Sequence, residues 1–277
     1  MNFGRYRVHV HNHGFFRLDG GAMFGSVPKA LWARVAPPDN ENRILLATRS
    51  LVVEDGARKL LVDVGCGDKW TEKGRSIFGI EERPYVPVPG VTDVVLTHLH
   101  FDHAGGVSRF ASGTSLEPCY PTATHYVSEA NYSNAKAPNI RERASYRSEN
   151  IDVLTKTNFV LTQPDQEIWP GLTVHRSDGH TRGLQWVKLT ADGKTIAFPS
   201  DLVPTSHHLP IPYVMGYDVC AERSMMEKGA FLRQAIEESW IVVFEHDPVV
   251  QAGRLAFDAN SKPYLAEELD LSGKMPT

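Results

Sequence analysis

The chain has 277 residues, enough to bury a sizeable core, with 29 Lys and Arg against 33 Asp and Glu. The formal net charge of −4 argues against a nucleic-acid partner, which asks for a basic face, and the spread of Gly and Pro argues against disorder. Cys66, Cys119 and Cys220 are too few and scattered for a disulfide framework. They suit a reduced, cytoplasmic setting.

In chain order, residues 6–14 alternate like a strand, and 18–32 are Gly-rich, then apolar and helix-like. After a loop at 36–43, two strand-like runs at 44–54 and 57–65 flank Asp55-Gly56, a hairpin turn signal. A charged, Pro-punctuated stretch (69–90) leads to a buried strand, 91–100, that runs into a histidine cluster. A short helix is expected after Gly105-Gly106, a strand at 123–129, and a partly exposed helical excursion over 130–156. Short strands follow in 159–183 with a turn at Pro170-Gly171, then a hairpin over 184–201 with its tip at Asp192-Gly193. The chain continues with a helix over 224–239 and a buried strand over 240–248. Hairpin-paired strands with helices between them imply a β-sandwich with helices outside. The N-terminus has no continuous apolar signal-peptide core, and no run approaches the ~18 apolar residues that span a bilayer, so no membrane association is expected.

Twelve histidines stand out, because His is the commonest protein metal ligand. Thr97-His98-Leu99-His100-Phe101-Asp102-His103 is an HxHxDH run at the end of the Val-rich strand. His98 and His100, two apart on extended chain, point to the same side and make half of a tetrahedral site. Asp102 and His103, past the turn, start a second site. His180 in SDGHTRG would complete the first, and His246 in FEHDP the second. Asp201 in FPSD has two oxygens with which to bridge two metals. Two divalent ions follow as cofactors: Zn is expected, and Mn, Fe or Co suit the same donors. Such a pair can hold a bridging hydroxide at neutral pH to attack a carbonyl or phosphorus, with Asp102 shuttling the proton to the leaving group.

These motifs resemble the metallo-β-lactamase-fold hydrolase superfamily. HLHFDHAGG and the N-terminal LDGGAMFGSVPKALW look most like its N-acyl-homoserine lactonase branch. The resemblance covers most of the chain, from the LVDVG strand to FEHDP. It implies an α+β fold, one αββα four-layer sandwich over residues 1–277, with a dinuclear site at one edge of the sheets. It also implies that Asp63 supports the site from behind the ligands. The lactonases carry a Tyr three residues after the bridging Asp, where this chain has Pro204. His208, Tyr213 and Tyr217 are the candidates to replace it. His208 is favoured as a catalytic residue because its loop follows Asp201.

His9, His11 and His13 lie outside these motifs and read as a strand face, and His125 and His175 as structural. Phe15, Phe16, Met23, Phe24 and Trp32 are candidates for an apolar substrate wall. The expected activity is hydrolysis of a small-molecule lactone or carboxylic ester, such as an acyl-homoserine lactone. A phosphotriesterase is the nearest alternative, and a metal-dependent ligand-binding effector the alternative outside enzymes. A homodimer is expected by base rate.

Overall fold

The computed structural model describes residues 1–81, 84–111 and 115–272. In chain order its strands begin with β1 (Asn2–Phe3), β2 (Tyr6–Asp19), β3 (Arg43–Glu54), β4 (Lys59–Val62) and β5 (Asp93–Leu96). A two-stranded ribbon, β6 (Ser108–Phe110) and β7 (Leu116–Pro118), comes next, then β8 (Thr124–Ser128) and β9 (Asn158–Thr162). The second half supplies β10 (Gln166–Trp169), β11 (Leu172–Ser177), β12 (Leu184–Ala191), β13 (Lys194–Phe198), β14 (Ile241–Val243), β15 (Ala252–Phe257) and β16 (Pro263–Leu269). The helices are α1 (Gly20–Phe24), α2 (Lys29–Trp32), α3 (Glu72–Phe78), α4 (Phe101–Ala104), α5 (Glu129–Lys136), α6 (Ser148–Ile151) and α7 (Ala221–Glu237).

Two seven-stranded sheets result, ordered β1-β2-β3-β4-β5-β8-β9 and β10 through β16 in sequence. Inward residues of the first sheet (Val8, Leu51, Val53, Val62) meet those of the second (Trp169, Val187, Ile196, Val243) in one continuous core. The outer face of the first sheet packs on α5, α6 and the turn after it, through Ala135, Ile151 and Leu154. That of the second packs on α7 through Phe231, Leu232 and Ala235. The layers therefore run helix, sheet, sheet, helix, as the hairpins and intervening helices imply.

Topology decides where the site lies. β4 and β5 run parallel, as do β13 and β14, and β11 shares the direction of β13 through two antiparallel steps. The C-terminal ends of these five strands open at one edge of the sandwich. Backbone bonds tie the sheets together there: Gln185 N–H to the Thr97 carbonyl, and Ala47 N–H to that of His246.

Two expectations need correction, and one hairpin was not anticipated. The short helix lies before Gly105-Gly106, as α4, and not after it; a 3-10 turn and β6 follow. The two glycines mark close backbone approach, since a Cβ at Gly105 would sit 2.1 Å from the Cys66 carbonyl oxygen and one at Gly106 2.2 Å from that of Val64. The apolar segment 18–32 breaks into two short helices. The closing hairpin β15–β16 went unread because β16 is an edge strand with little apolar alternation.

Candidate metal centre

The strand ends deliver the histidines and aspartates to one place. β5 stops at Leu96, and the extended chain carries His98 and His100 forward before α4 turns Asp102 and His103 back toward them. β11 leads into the loop bearing His180, β13 into Asp201, and β14 into His246. The result is two adjoining groups of donor atoms, each within 4.8 Å of one another: His98, His100, His180 and Asp201 in one, and Asp102, His103 and His246 in the other. All seven residues are buried.

Asp201 stands between the groups. Its Oδ2 lies 3.1 Å from His180 Nε2 and 3.4 Å from His103 Nε2, and its Oδ1 3.2 Å from His246 Nε2. Asp102 Oδ2 is 3.8 Å from both His103 Nε2 and His246 Nε2.

Most of these imidazoles are held from the outside, which orients the ring and leaves the opposite nitrogen facing inward. His246 Nδ1 is 2.8 Å from the Ala47 carbonyl oxygen, His180 Nδ1 2.9 Å from Asp218 Oδ1, and His103 Nδ1 3.0 Å from Asp63 Oδ2. His98 Nδ1 is 3.2 Å from Thr97 Oγ1, and Glu142 Oε2 stands 3.8 Å from His100 Nε2. Asp63 is itself fixed by the Thr97 N–H at 2.7 Å and hydroxyl at 2.6 Å. Its φ of 59° is a left-handed conformation that Asp tolerates better than most residues.

The inward atoms fit cations better than one another. His180 Nε2 faces His100 Nδ1 at 3.2 Å, and His246 Nε2 faces His103 Nε2 at 3.2 Å. Buried His98 Nε2 and Asp201 Oδ1 have no hydrogen-bond partner among the described residues. Leaving such groups unmatched is costly unless an ion takes them up. Electrostatics agree. Burial opposes charge on His180 and His246, yet Asp201, helped by Asp218 and Glu245 respectively, raises them to about 10 and about 9. Burial, reinforced by the neighbouring imidazoles, holds His98 well below the usual histidine value.

Above the donors opens a cavity of about 360 Å³. Leu18, Met23, Phe78, Phe101 and Met215 form its apolar side, and Arg141, Glu142 and Ser145 its polar side. Arg141 donates to the Gly216 carbonyl, joining the two lips. Of the apolar residues anticipated, Met23 lines this cavity. Phe16, Phe24 and Trp32 are buried beside it, while Phe15 lies in a neighbouring apolar groove.

His208 needs correction. It is buried away from the cavity, with Nδ1 2.7 Å from Thr205 Oγ1, Nε2 2.9 Å from the Met23 carbonyl oxygen, and its ring stacked on Phe24. Burial lowers it to about 3, which keeps it neutral. It anchors a loop and does not reach toward a substrate. Of the other candidates at the Pro204 position, Tyr217 lines the cavity and Tyr213 does not. Burial, with Asp19 and Asp102, pushes Tyr217 up to about 12, so its phenol stays a donor. Three carboxylates escaped the sequence reading: Glu142, Asp218 and Glu245. Glu142 and Asp218 sit on loops with no local signal. Glu245 had one, an acidic residue at the end of a buried strand.

The HxH run near the N-terminus lies apart from this centre. The His11 and His13 rings pack 4.6 Å apart, and His13 stacks on Tyr85. His125 Nδ1 bonds the Ala123 carbonyl oxygen, and His175 stacks on Trp186.

The sequence profile described as the metallo-beta-lactamase superfamily matches residues 43–248, a span that includes every donor of both groups. The chain belongs to this superfamily. It is 25% identical over 194 residues to an N-acyl homoserine lactonase of Bacillus cereus, covering 68% of each chain. A probable metallo-hydrolase of Mycobacterium bovis is 25% identical over 181 residues, covering 57% of this chain and 55% of that one. Among solved structures, a probable metal-dependent hydrolase from Staphylococcus aureus superposes with a TM-score of 0.86 at 29% identity, over 97% of this chain and all of that one. A dizinc quorum-quenching lactonase, solved with its product N-hexanoyl-L-homoserine, shares the fold at a TM-score of 0.75 and 17% identity, with 97% and 96% covered. The chain is thus a metallo-hydrolase of the superfamily, related to acyl-homoserine lactonases. No helix among the described residues is long and apolar enough to cross a membrane.

Proposed function

We propose that this protein is a dinuclear metal hydrolase that opens lactones or cleaves carboxylic esters of small molecules. His98, His100 and His180 would hold one ion, and Asp102, His103 and His246 the other, with Asp201 shared between them. The carrying observation is the convergence of seven buried donors from four chain segments, five of which line the floor of one open cavity. Zinc suits these nitrogen and oxygen donors, and manganese, iron or cobalt would serve the same set. Bound there, two such ions supply Lewis acidity toward a carbonyl and a nucleophilic water at neutral pH.

The chain's own residues do the rest. Leu18, Phe78, Phe101 and Met215 receive the apolar part of the substrate and keep bulk water from the reacting carbonyl. Asp102, on the cavity floor beside His103 and His246, is placed to hold a proton at Oδ2 and pass it to the departing alkoxide. The Tyr217 phenol supplies a hydrogen bond to a substrate oxygen from the cavity lining.

Two measurements test the reading. Metal analysis should find near two ions per chain, and a value near zero after careful reconstitution would sink it. Turnover should then be highest for an acyl-homoserine lactone, a δ-lactone or an aryl ester. Preference for a phosphotriester would move the assignment to the organophosphate class on the same centre.

A further inference from the structure

Behind His103 stands a buried carboxylate that the proposed roles do not use. Glu245 precedes His246 in the bend that follows β14, and the two side chains part there. His246 faces the cavity floor, whereas Glu245 lies behind His103, fully enclosed. Its Oε1 is 3.1 Å from His103 Nδ1, and its Oε2 is 3.3 Å from the Ser200 hydroxyl oxygen, which can donate to it. Asp63 Oδ2 meets the same Nδ1 at 3.0 Å, so two carboxylates flank a nitrogen with one hydrogen to give. Asp63 is already oriented by Thr97 and takes it. Glu245 Oε1 is then left with no hydrogen-bond partner among the described residues.

A carboxylate in this state is a poor way to fill space, and an apolar side chain would pack there without the loss of hydration. What it can do is place a second carboxylate acceptor behind the imidazole. That makes the inward Nε2 a stronger donor and resists rotation of the ring. In the other group Asp218 alone backs His180, and Glu142, behind His100, is satisfied by neutral donors: Asn134, Asn139 and Thr181.

We infer that Glu245 is a positioning residue which, with Asp63, holds the His103 ring and strengthens the hold of Asp102, His103 and His246 on their ion. This rests on the reading of His103 as a ligand.

The test is titration of the metal-free full-length protein with Co(II), followed by visible absorption and by release to a chelator. It compares wild type, Glu245→Gln and Glu245→Asp, each also in a His180→Ala background that cripples the opposite group. Wild type should take up two ions. Glu245→Gln should weaken one of them by about 10- to 100-fold and leave the other unchanged, and in the His180→Ala background it should weaken the ion that remains. Glu245→Asp, which keeps the carboxylate, should recover part of the loss. Equal ion affinity and release in wild type and Glu245→Gln would overturn the inference, as would a variant that weakens the ion of His98, His100 and His180 instead. Wild type that takes up no ion would overturn the metal-centre reading itself, an outcome separable from the other two.

Discussion

The two donor groups use the same residue types but are supported by different parts of the fold. Asp102, His103 and His246 are backed by strand ends: Asp63 follows β4, Glu245 follows β14, and the carbonyl behind His246 belongs to Ala47 within β3. His100 and His180 lean on loops, while His98 is backed by Thr97 just past β5. Asp218 lies in the stretch between β13 and α7, and Glu142 in the excursion between α5 and α6. Strand ends are fixed by the two sheets, whereas loops hold their shape through local contacts that open at lower free energy. The loop support is itself pinned by a buried cation. Lys228 of α7 donates to the carbonyls of His208, Pro210 and Tyr213, just before Asp218. The comparison teaches that one half of the centre is set by topology and the other by side chains that grip loops.

The largest expected effect ignores the difference between the halves. Asp102→Asn should lower kcat by about 10²- to 10⁴-fold even with metal in excess, because a group that holds and moves a proton is lost, and it should also loosen the ion held with His103 and His246. Activity near wild type would remove Asp102 from the mechanism. Next, Asp218→Asn should weaken one ion by about 10- to 100-fold, and Lys228→Met should weaken the same ion, since both loosen the support of His180. If either variant instead affected the ion lost in Glu245→Gln, the division into strand-backed and loop-backed halves would fail.

Acid should reach the loop-backed side through His208. Burial lowers this histidine to about 3 in the folded chain, against an ordinary value of 6.5. The unfolded chain therefore takes up the proton first as pH falls. Stability is fully present above 6.5 and declines from there toward pH 3. The loss is about 3 kcal/mol by pH 4 from this residue. Urea unfolding across that range, compared with His208→Gln, should show the variant with a shallower acid slope and an unchanged pH dependence of kcat. A large kcat defect in the variant at neutral pH would return His208 to the catalytic machinery. The smallest effect is at Tyr217: Tyr217→Phe should lower kcat/KM by about tenfold, the worth of one substrate hydrogen bond, with both ions retained.

Much of the centre was legible in the residues themselves. A pattern such as HxHxDH after a Val-rich strand places four donors by local geometry alone, because extended backbone alternates and a helical turn folds back. The later single residues His180, Asp201 and His246 were legible because each follows a strand, and strand ends are where a sandwich can present side chains rigidly. Hairpin signals such as Asp55-Gly56 and Asp192-Gly193 carried the pairing of β3 with β4 and of β12 with β13 for the same local reason.

What the chain could not state in one dimension is who stands behind whom. Glu142, Asp218 and Glu245 are ordinary acidic residues until loops and strands distant in sequence bring them to the backs of His100, His180 and His103. His208 read as a substrate contact because it follows Asp201 closely. Only packing against Phe24 and the Met23 carbonyl turns it away. Local periodicity and turn chemistry are short-range, so they determined the donors and the layered sandwich. The burial, the second carboxylate on His103 and the shape of the cavity depend on contacts between residues scores of positions apart, and those the tertiary structure alone decided.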